Sequence, residues 1–427
     1  MGVKINLPEV GKKRVVVVGG GFAGMTLVKD LDPRLFQIVL LDRNNYHQFQ
    51  PLFYQVAMAG LEPSSIVFPF RKMLQGTGKY FRMAEVTAVE PDLNRLLTSH
   101  GIVNYDYLVL ALGAETHYFG NEEIRRRSIP MKSVSEALYL RNRILEDCET
   151  ALTCTDADER RGLLNTVIVG GGPTGVELAG ALAEMRKFIM PKDYPELPPE
   201  ESGVWLVESN GRLLKSMSEE ASARAAAYLE GMGVKVLLGK RVESHDGKWV
   251  RLGSGVSIRA DKLIWAAGVT APKIPGLPES MMGQGSRLVV DRYNRVGGCE
   301  NIFALGDLSL MTAPGFEHGH PQVAPVAIDQ ARLLSKNLSR LERGEPMEEF
   351  SYTDKGSMAT VGRHAAVADI GSLRLSGVPA WLLWLLVHLR ALLGVKNKLF
   401  VLVSWGWNYV TYDQPLRIIV RPRQNTR

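Results

Sequence analysis

The sequence predicts an α/β fold with two Rossmann-like domains and a separate C-terminal region. Three observations support this prediction. The motif G-x-G-x-x-G occurs twice, each time between a short apolar strand and a helix. A later strand ends in Gly306-Asp307. The last 65 residues, from Arg363 onward, hold nine basic and two acidic residues and four of the seven tryptophans, which separates them from a nearly neutral body.

The first glycine motif follows residues 14–18, a β-branched run typical of a buried parallel strand. In this motif Gly19 allows a tight turn, Gly21 lets the backbone approach a pyrophosphate, and Gly24 lets the following helix, over residues 25–31, pack closely. Asp42 lies 23 residues after Gly19, ends the next predicted strand, and can accept hydrogen bonds from a ribose. A dinucleotide site is therefore predicted at this turn.

The same arrangement recurs 151 residues later, with a strand over residues 166–169 and the motif beginning at Gly170. Its acid, Glu208, lies 38 residues after Gly170, an excess of 15 over the first unit. The excess equals the length of the proline-rich segment 187–201, which we interpret as an inserted surface loop. Two nucleotide units in one chain predict hydride or electron transfer between their ligands.

The acid of the second unit also predicts nucleotide preference. A carboxylate at Glu208 would repel a 2′-phosphate, so NADH should be preferred over NADPH. Arg212, four residues further on, is the nearest basic residue.

Composition excludes several classes of protein. The three cysteines, Cys148, Cys154 and Cys299, are few and form no C-x-x-C, so neither a disulfide scaffold nor a zinc or iron–sulfur site is expected, and no metal is predicted. The formal charge of +6 is less than the +7 of the last 65 residues, which leaves −1 for the rest, so no nucleic-acid partner is predicted. The N-terminus shows no apolar signal segment, and a cytoplasmic setting is the default.

Further segments resemble the two-dinucleotide-binding flavoprotein superfamily. Residues 107–114 and 263–269 are similar to its two strand–A-x-G segments, and residues 301–307 to its second FAD signature. The resemblance implies non-covalent FAD at the Gly19 site and NADH at the Gly170 site. The residues it implies for FAD are Gly19, Gly20, Gly21, Phe22, Ala23, Gly24, Asp42, Arg43, Val86, Leu112, Gly113, Gly306 and Asp307. Those it implies for NADH are Gly170, Gly172, Pro173, Thr174, Gly175, Glu208 and Gly268.

Within that superfamily, the segment after Asp42 distinguishes the redox partner. Dithiol reductases carry C-x-x-x-x-C there, whereas residues 44–55 contain no cysteine. Residues 44–55, together with 358–369, 394–407 and 417–419, instead resemble type II NADH:quinone oxidoreductases, and the likeness covers essentially the whole chain. It implies a peripheral membrane flavoenzyme of the respiratory chain, on the cytoplasmic face of the inner or plasma membrane, that oxidises NADH and reduces quinone via FAD without pumping protons. A homodimer is also implied.

The resemblance also implies a domain division. Residues 1–118 and 285–349 would form a split FAD-binding domain, residues 119–284 the NADH-binding domain, and residues 350–427 a C-terminal membrane-association region.

Two apolar segments in the C-terminal region predict a membrane anchor. Pro379 fits the first turn of a helix, and the apolar run over residues 381–393 is interrupted by His388 and Arg390. The second run, residues 399–403, is short. Neither reaches the ~18–20 apolar residues that a membrane span needs, so we expect helices lying in the plane of the interface.

The resemblance indicates candidate catalytic residues. The family's A-Q-x-A-x-Q-Q motif aligns with residues 324–330, where Pro325 and Asp329 replace two glutamines and Gln330 is kept. These three are candidate quinone contacts, and Asp329 is either a proton source raised in pKa by burial or a helix-surface acid. Glu177 matches the family's acid near flavin and nicotinamide and could relay a proton. Thr174-x-x-Glu177 is also a capping box, which would serve the helix alone.

Two alternative functions remain open from the sequence. A sulfide:quinone oxidoreductase shares this plan but needs a redox-active cysteine pair near the flavin, and the three cysteines lie in no motif that supplies one. An NADH-sensing flavoprotein without turnover is the second alternative, because Pro325 removes an amide expected to contact quinone.

Overall fold

The computed structural model describes residues 4–253, 255–411, 414 and 416–420. Asp413, Arg421, Arg423 and Arg427, which contribute to the charge of the predicted C-terminal region, lie outside the described residues. The chain forms two compact units. The first comprises Met1–Gln48, Val67–Glu115 and Val269–Thr353, and the second comprises Phe49–Ile66, Thr116–Gly268 and Asp354–Arg427.

Twelve α-helices occur in the part of the chain that the structure describes. They are α1 (Phe22–Asp30), α2 (Phe53–Ala57), α3 (Phe70–Met73), α4 (Glu122–Arg127), α5 (Val134–Thr153), α6 (Ala157–Leu164), α7 (Pro173–Phe188), α8 (Met190–Asp193), α9 (Glu219–Gly231), α10 (Ala324–Glu342), α11 (Val378–Ala391) and α12 (Val395–Thr411).

The strands form two large parallel sheets and several small ones. They are β1 (Lys13–Val18), β2 (Phe36–Asp42), β3 (Tyr46–Gln48), β4 (Val67–Pro69), β5 (Tyr80–Met83), β6 (Val86–Glu90), β7 (Arg95–Thr98), β8 (Gly101–Asn104), β9 (Tyr107–Leu110), β10 (Glu115–Thr116), β11 (Ile129–Pro130), β12 (Thr166–Val169), β13 (Val204–Glu208), β14 (Val234–Leu238), β15 (Val242–His245), β16 (Trp249–Leu252), β17 (Ser257–Arg259), β18 (Lys262–Trp265), β19 (Val269–Thr270), β20 (Leu288–Val289), β21 (Ile302–Ala304), β22 (Ser309–Leu310), β23 (Ser357–Gly362), β24 (Ala365–Ile370) and β25 (Leu373–Ser376).

The first unit is built on a parallel sheet of strand order β21-β9-β1-β2-β5. The central strand β1 contributes to both faces, because Val16 and Val18 belong to one buried cluster and Val15 and Val17 to the other. Each fully buried valine contributes about 1.5–3 kcal/mol of hydrophobic stabilisation. This strand is the one predicted from the β-branched run, and the helix that follows begins at Phe22, three residues before the predicted start.

The second unit repeats the plan with a parallel sheet of order β11-β18-β12-β13-β14. The antiparallel sheet β23-β24-β25 and the helices α11 and α12 belong to this unit. The predicted fold class, an α/β protein with two Rossmann-like domains, is thereby confirmed. The boundaries between the units lie at Glu115/Thr116 and Gly268/Val269, whereas the sequence suggested divisions after residues 118 and 284.

The segment predicted as an inserted loop is more ordered than expected. The helix α7 continues to Phe188, and α8 follows after one residue. Tyr194 and Leu197 are buried in a cluster that includes Cys148 of α5. The Glu201 carboxylate ends the segment by accepting hydrogen bonds from Arg160 at 2.5 and 2.8 Å. The insertion is therefore fixed to the body of its unit by an apolar cluster and an ion pair.

The C-terminal helices bury one side and expose the other. Ala380 and Trp384 of α11 and Val401 of α12 are buried, whereas Leu386 is 64% exposed and Val403 is 61% exposed. Among the described residues, no helix combines the length and the apolar character required to cross a bilayer.

Candidate active site

The first glycine turn is fixed by hydrogen bonds to Gly20, the residue between the first two glycines of the motif. The Gly20 N–H donates to Asp42 Oδ2 at 2.7 Å, and its carbonyl oxygen lies 2.8 Å from His47 Nδ1. Asp42 Oδ1 accepts the N–H of Asn44, also at 2.7 Å. Burial raises the pKa of Asp42, and these N–H groups offset part of that rise. The acid predicted to meet a ribose therefore also holds the turn.

The shape of this turn fits a pyrophosphate. Gly19 has φ +97°, and a Cβ on Gly24 would overlap the Gly19 carbonyl oxygen, so the helix packs as closely as predicted. A Cβ on Gly21 would meet nothing within 4 Å, and Gly21 caps α1 without a side-chain hydrogen bond. The open glycine surface and the uncapped N–H groups are the features that bind phosphate oxygens. The remaining residues implied for FAD lie near strand ends of the same unit: Arg43 after β2, Val86 at the start of β6, and Leu112 and Gly113 after β9.

The Gly306-Asp307 turn of the first unit is held by the side chain of Gln330. The Gly306 N–H donates to Gln330 Oε1 at 2.7 Å, and the side chain of Gln330 is buried. Gln322 Nε2 donates to the Asp307 carbonyl at 2.9 Å. The Gln330 amide oxygen thus holds the turn that presents Asp307.

The two other quinone candidates lie on the same helix, α10. Pro325 is in its first turn, where the missing N–H of proline has no cost. Asp329 is paired with Arg332 at 3.7 Å.

The second glycine turn repeats the geometry of the first. Gly170 has φ +109°, a Cβ on Gly175 would overlap the Gly170 carbonyl oxygen, and a Cβ on Gly172 would meet nothing within 4 Å. The Gly171 N–H donates to Glu208 Oε2 at 2.5 Å, and Asn210 donates to Oε1 through its backbone N–H at 2.7 Å. Burial would raise the pKa of Glu208, but the hydrogen bonds from Asn210 and Gly171 outweigh it and lower the pKa. Glu208 is therefore a carboxylate.

The predicted capping box at Thr174 is wrong. The N-cap of α7 is Gly172, with Pro173 as the first helical residue and no side-chain hydrogen bond at the cap. Glu177 therefore lies beyond the first turn, and its carboxyl does not serve the helix end. Gly268, the last residue implied for NADH, lies after β18. Its carbonyl accepts the His117 N–H at 3.0 Å, and the Phe119 ring lies next to its Cα.

A cavity of about 610 Å³, which we call the α7 cavity, lies within the second unit. Elements α2, α7, β23, α11 and α12 contribute its walls. The polar residues facing it include Tyr54, Gln55, Glu177, Glu184, Thr360, Arg363 and Asn408. The apolar wall includes Trp381, Leu382, Trp384, Leu385, Leu386, Leu389 and Leu402.

Glu177 faces this cavity in an apolar setting. The residue is half-buried and lines the cavity. Burial raises the pKa of Glu177 to about 8, and two groups lower it only partly. One is the Thr360 N–H at 3.4 Å; the other is the Trp384 indole, whose buried N–H approaches the carboxyl without completing a hydrogen bond of ordinary geometry. A carboxyl of this kind is mostly protonated at neutral pH.

Glu184 faces the same cavity two helical turns further along α7. Its Oε1 accepts the backbone N–H of Arg363 at 2.5 Å. Burial raises the pKa of Glu184, and the Arg363 N–H and guanidinium lower it in part. The Arg363 guanidinium donates to the Asn408 carbonyl and lies over the Tyr409 ring, 4.9 Å from its centroid.

Helix α2 supplies a third polar group. Gln55 Nε2 donates to the Tyr54 hydroxyl at 2.8 Å, and Trp405 Nε1 donates to Gln55 Oε1 at 2.7 Å. The Tyr54 ring meets the Trp384 ring edge to face, with centroids 6.2 Å apart. Burial raises the pKa of Tyr54 well above 10, and the charges of Glu177 and Glu184 raise it further. The phenol therefore stays protonated, within electrostatic reach of both acids.

Sequence reasoning found one residue of the cavity, Glu177, and missed its neighbours. Tyr54 and Gln55 are the last two residues of the segment 44–55 that carried the resemblance, and Glu184 lies seven residues after Glu177, on the same helix face. Trp384 was visible only as part of an apolar run. The i, i+7 spacing of the two acids is the signal that could have found Glu184.

Comparisons with known proteins agree with this description. Residues 13–331 match the sequence model of the pyridine nucleotide-disulphide oxidoreductase family, and residues 355–411 match that of the NDH2 C-terminal domain. The type II NADH:quinone oxidoreductase NdhA of Mycobacterium tuberculosis is 34% identical over 94% of this chain and 88% of its own length.

Solved structures share the fold. NDH2 of Plasmodium falciparum superposes with a TM-score of 0.88 at 20% identity, over 96% of this chain and 100% of that chain. The sulfide:quinone oxidoreductase of Aquifex aeolicus has a TM-score of 0.71 at 16% identity, over 96% of each chain.

Proposed function

The chain belongs to the type II NADH:quinone oxidoreductase family, and from this premise we propose that it oxidises NADH and reduces a membrane quinone to quinol through bound FAD. The observation that carries the proposal is the placement of the Glu177 carboxyl, which faces an apolar cavity from the helix that follows the second glycine turn.

FAD is the cofactor of the first unit. Its pyrophosphate would lie against the open glycine surface at Gly21 and the uncapped start of α1, and Asp42 and Asp307 would meet its ribose and ribityl hydroxyls. When bound, FAD supplies a two-electron carrier between nicotinamide and quinone. The Gly306–Asp307 turn is held for this purpose by Gln330.

NADH is the substrate of the second unit. The Gly172 surface and the start of α7 would bind its pyrophosphate, and the Glu208 carboxylate its ribose. The Arg212 guanidinium is not placed to bind a 2′-phosphate, because it donates to the Met217 carbonyl at 2.8 Å and to Ser222 Oγ at 2.7 Å. The charge at Glu208 therefore favours NADH over NADPH.

The α7 cavity is the proposed quinone site. Its apolar wall suits the ring and the chain of a lipid quinone. The overall reaction is NADH + H⁺ + quinone → NAD⁺ + quinol, so one proton per turnover comes from solvent. Glu177 is a suitable donor, since a general acid works best when its pKa lies near the working pH.

The C-terminal helices are proposed to lie at the membrane surface. Their exposed apolar residues, among them Leu386 and Val403, are suited to the acyl boundary, and Arg390, Lys396 and Lys398 to anionic headgroups. Each basic residue contributes about 1 kcal/mol near such a surface, against about 1.5–3 kcal/mol for each buried large apolar side chain. Attachment to the cytoplasmic face and assembly as a homodimer remain expectations from the family.

The cysteines argue against sulfide oxidation. All three are free, and burial raises the pKa of Cys148 to about 11, which makes its thiol unreactive. Burial also raises the pKa of Cys299.

The test uses the purified holoenzyme without oxygen. NADH should bleach the flavin absorbance within the mixing time, and a soluble quinone should then restore it. Bleaching without reoxidation would instead identify an NADH sensor. Bleaching by sulfide but not by NADH would identify the alternative enzyme, and either result would overturn the proposal.

A further inference from the structure

An exposed aromatic side chain, Phe119, lies beside the second nucleotide site and outside the mechanism proposed above. It is 63% exposed to solvent. A single apolar side chain at the surface is common in soluble proteins and needs no explanation by itself. The conformation of this residue and its place in the sheet topology distinguish it from such a chance exposure.

The backbone at Phe119 has a conformation that is unfavourable for a residue with a Cβ. Its φ is +51°, and that of Gly120, the next residue, is +77°. Glycine adopts positive φ freely, whereas a bulky side chain rarely does. A conformation of this kind persists only where the surrounding structure fixes it, and such residues are concentrated at binding sites.

The segment that carries the ring is fixed from several sides. The His117 N–H donates to the Gly268 carbonyl at 3.0 Å, and the Trp265 indole N–H donates to the His117 carbonyl at 2.8 Å. The Tyr118 ring stacks on that indole, with centroids 6.2 Å apart. The Asn121 N–H then donates to the Tyr118 carbonyl at 2.9 Å. The ring is therefore held in a defined position, which reduces the entropic cost of binding a ligand.

The order of the strands indicates which half of NADH lies near this ring. The glycine turn follows β12, which lies between β13 and β18 in the sheet. Glu208 ends β13 and is the proposed partner of the adenosine ribose. With the pyrophosphate at the turn and the adenosine at the end of β13, the nicotinamide riboside extends over the end of β18.

The end of β18 lies against the glycine turn, and the ring lies against the end of β18. A Cβ on Gly170 would be 2.4 Å from the Ala266 carbonyl oxygen and 2.8 Å from the Ala267 Cα. One residue further on, a Cβ on Gly268 would be 3.3 Å from Phe119 Cζ. The exposed ring is therefore on the side of the turn that faces away from Glu208.

We propose that Phe119 binds the nicotinamide riboside half of NADH, which packs against the exposed surface of its ring. The ring contacts His117 on one side, with centroids 4.3 Å apart, and most of its remaining surface is open. A flat apolar ring of this kind is suited to packing against another ring. This inference rests on the proposed binding of NADH to the second unit.

The test compares two ligands of the oxidised holoenzyme. NAD⁺ contains both halves of the nucleotide and does not reduce the flavin, whereas ADP contains the adenosine and both phosphates but lacks the nicotinamide riboside. Phe119→Leu removes the aromatic ring and keeps an apolar side chain that is unbranched at Cβ. We expect the Kd of NAD⁺, measured by titration calorimetry, to rise about fivefold, while the Kd of ADP stays unchanged.

Two further variants serve as controls. Tyr139→Leu removes another exposed aromatic ring of the same unit, 58% exposed on α5, and should leave both Kd values unchanged. Phe119→Tyr keeps the ring and should bind NAD⁺ and ADP as the wild type does.

Three results would overturn the proposal. The first is an unchanged Kd of NAD⁺ in Phe119→Leu. The second is an equal rise for NAD⁺ and ADP, because the substitution would then act on the glycine turn as a whole. The third is the same loss in Tyr139→Leu. If Phe119→Leu does not fold, Phe119→Met is judged by the same two constants. Failure of the proposed quinone reduction is distinguishable, because the wild-type enzyme would then reduce no quinone while both binding constants could still be measured.

Discussion

The two nucleotide units share one backbone design and differ in the helix that follows the glycine turn. In both, the first glycine has a positive φ, and the third packs against its carbonyl oxygen. In both, an acid at the end of the next strand accepts the N–H of the residue that follows the first glycine: Asp42 from Gly20 at 2.7 Å, and Glu208 from Gly171 at 2.5 Å. The helices differ, since α1 has nine residues and α7 has sixteen.

Aligning the third glycines shows what the longer helix adds. Two residues after Gly24 stands Thr26, and two residues after Gly175 stands Glu177. The position equivalent to Glu184 in the first unit is Pro33, beyond the end of α1 at Asp30. The first helix therefore carries no acid at either of these two positions. The second also forms one wall of a cavity and supplies its acids, so the added function lies outside the glycine motif.

The largest effect is expected when one methyl group is added at the third motif glycine of either unit, Gly24 or Gly175. In Gly24→Ala and in Gly175→Ala the new Cβ would overlap the carbonyl oxygen of the first glycine, so the turn must open. We expect Gly24→Ala to be purified without FAD, and Gly175→Ala to keep FAD that NADH no longer bleaches. Absorbance spectra before and after NADH addition measure both effects.

The matched control for these variants is Gly231→Ala, at the end of α9. A Cβ there meets nothing within 4 Å, and alanine favours helix by up to about 1 kcal/mol over glycine. This variant should keep FAD and full activity. If Gly175→Ala also lost FAD, the two units would not bind their ligands independently.

The second largest effect is expected at Glu177, where the two helices first differ. Glu177→Gln keeps an acceptor for the Thr360 N–H but removes the proton, so kcat for quinone should fall about 100-fold while the affinity for NADH stays normal. In the wild type the rate should fall as the pH rises through about 8, the pKa of Glu177. The variant should lack that step. Normal turnover in Glu177→Gln would remove this residue from the mechanism.

The same substitution has an opposite effect on stability. The ordinary pKa of glutamate is 4.5 and burial raises that of Glu177 to about 8, so between these values the folded chain binds more protons than the unfolded chain. The contribution of the protonated form is present below 4.5 and is lost as the pH rises toward 8. Glu177→Gln should therefore raise Tm more at about pH 8 than at about pH 5.

The parts that the sequence predicted well are local. The strand β1, both glycine turns, and the acids Asp42 and Glu208 follow from short patterns whose geometry is repeated wherever a strand enters a helix through three glycines. Because the sheet is parallel, the acid at the end of the second strand must lie next to the turn.

The α7 cavity could not be predicted because its contacts join distant parts of the chain. Thr360 and Glu177 are 183 residues apart, and Trp405 and Gln55 are 350 residues apart. Gln330 was predicted as a quinone contact from its motif, and its hydrogen bond to Gly306 became visible only in the fold. A motif indicates that an amide is needed at such a position but not which atom it meets.

The smallest effect is expected at the two acids that hold the glycine turns, Asp42 and Glu208. Glu208→Gln keeps an acceptor for the Gly171 N–H and removes the charge, so the preference for NADH over NADPH, measured as a ratio of kcat/KM values, should narrow about tenfold, equivalent to about 1.4 kcal/mol. Asp42→Asn makes the same change in the first unit, whose nucleotide has no 2′-phosphate, and should leave that ratio unchanged. A ratio that moved equally in both variants would show that the acids act through the shape of the turn. A change in Glu208→Gln alone would assign the discrimination to its charge, since the hydrogen bonds of Arg212 already commit its guanidinium elsewhere.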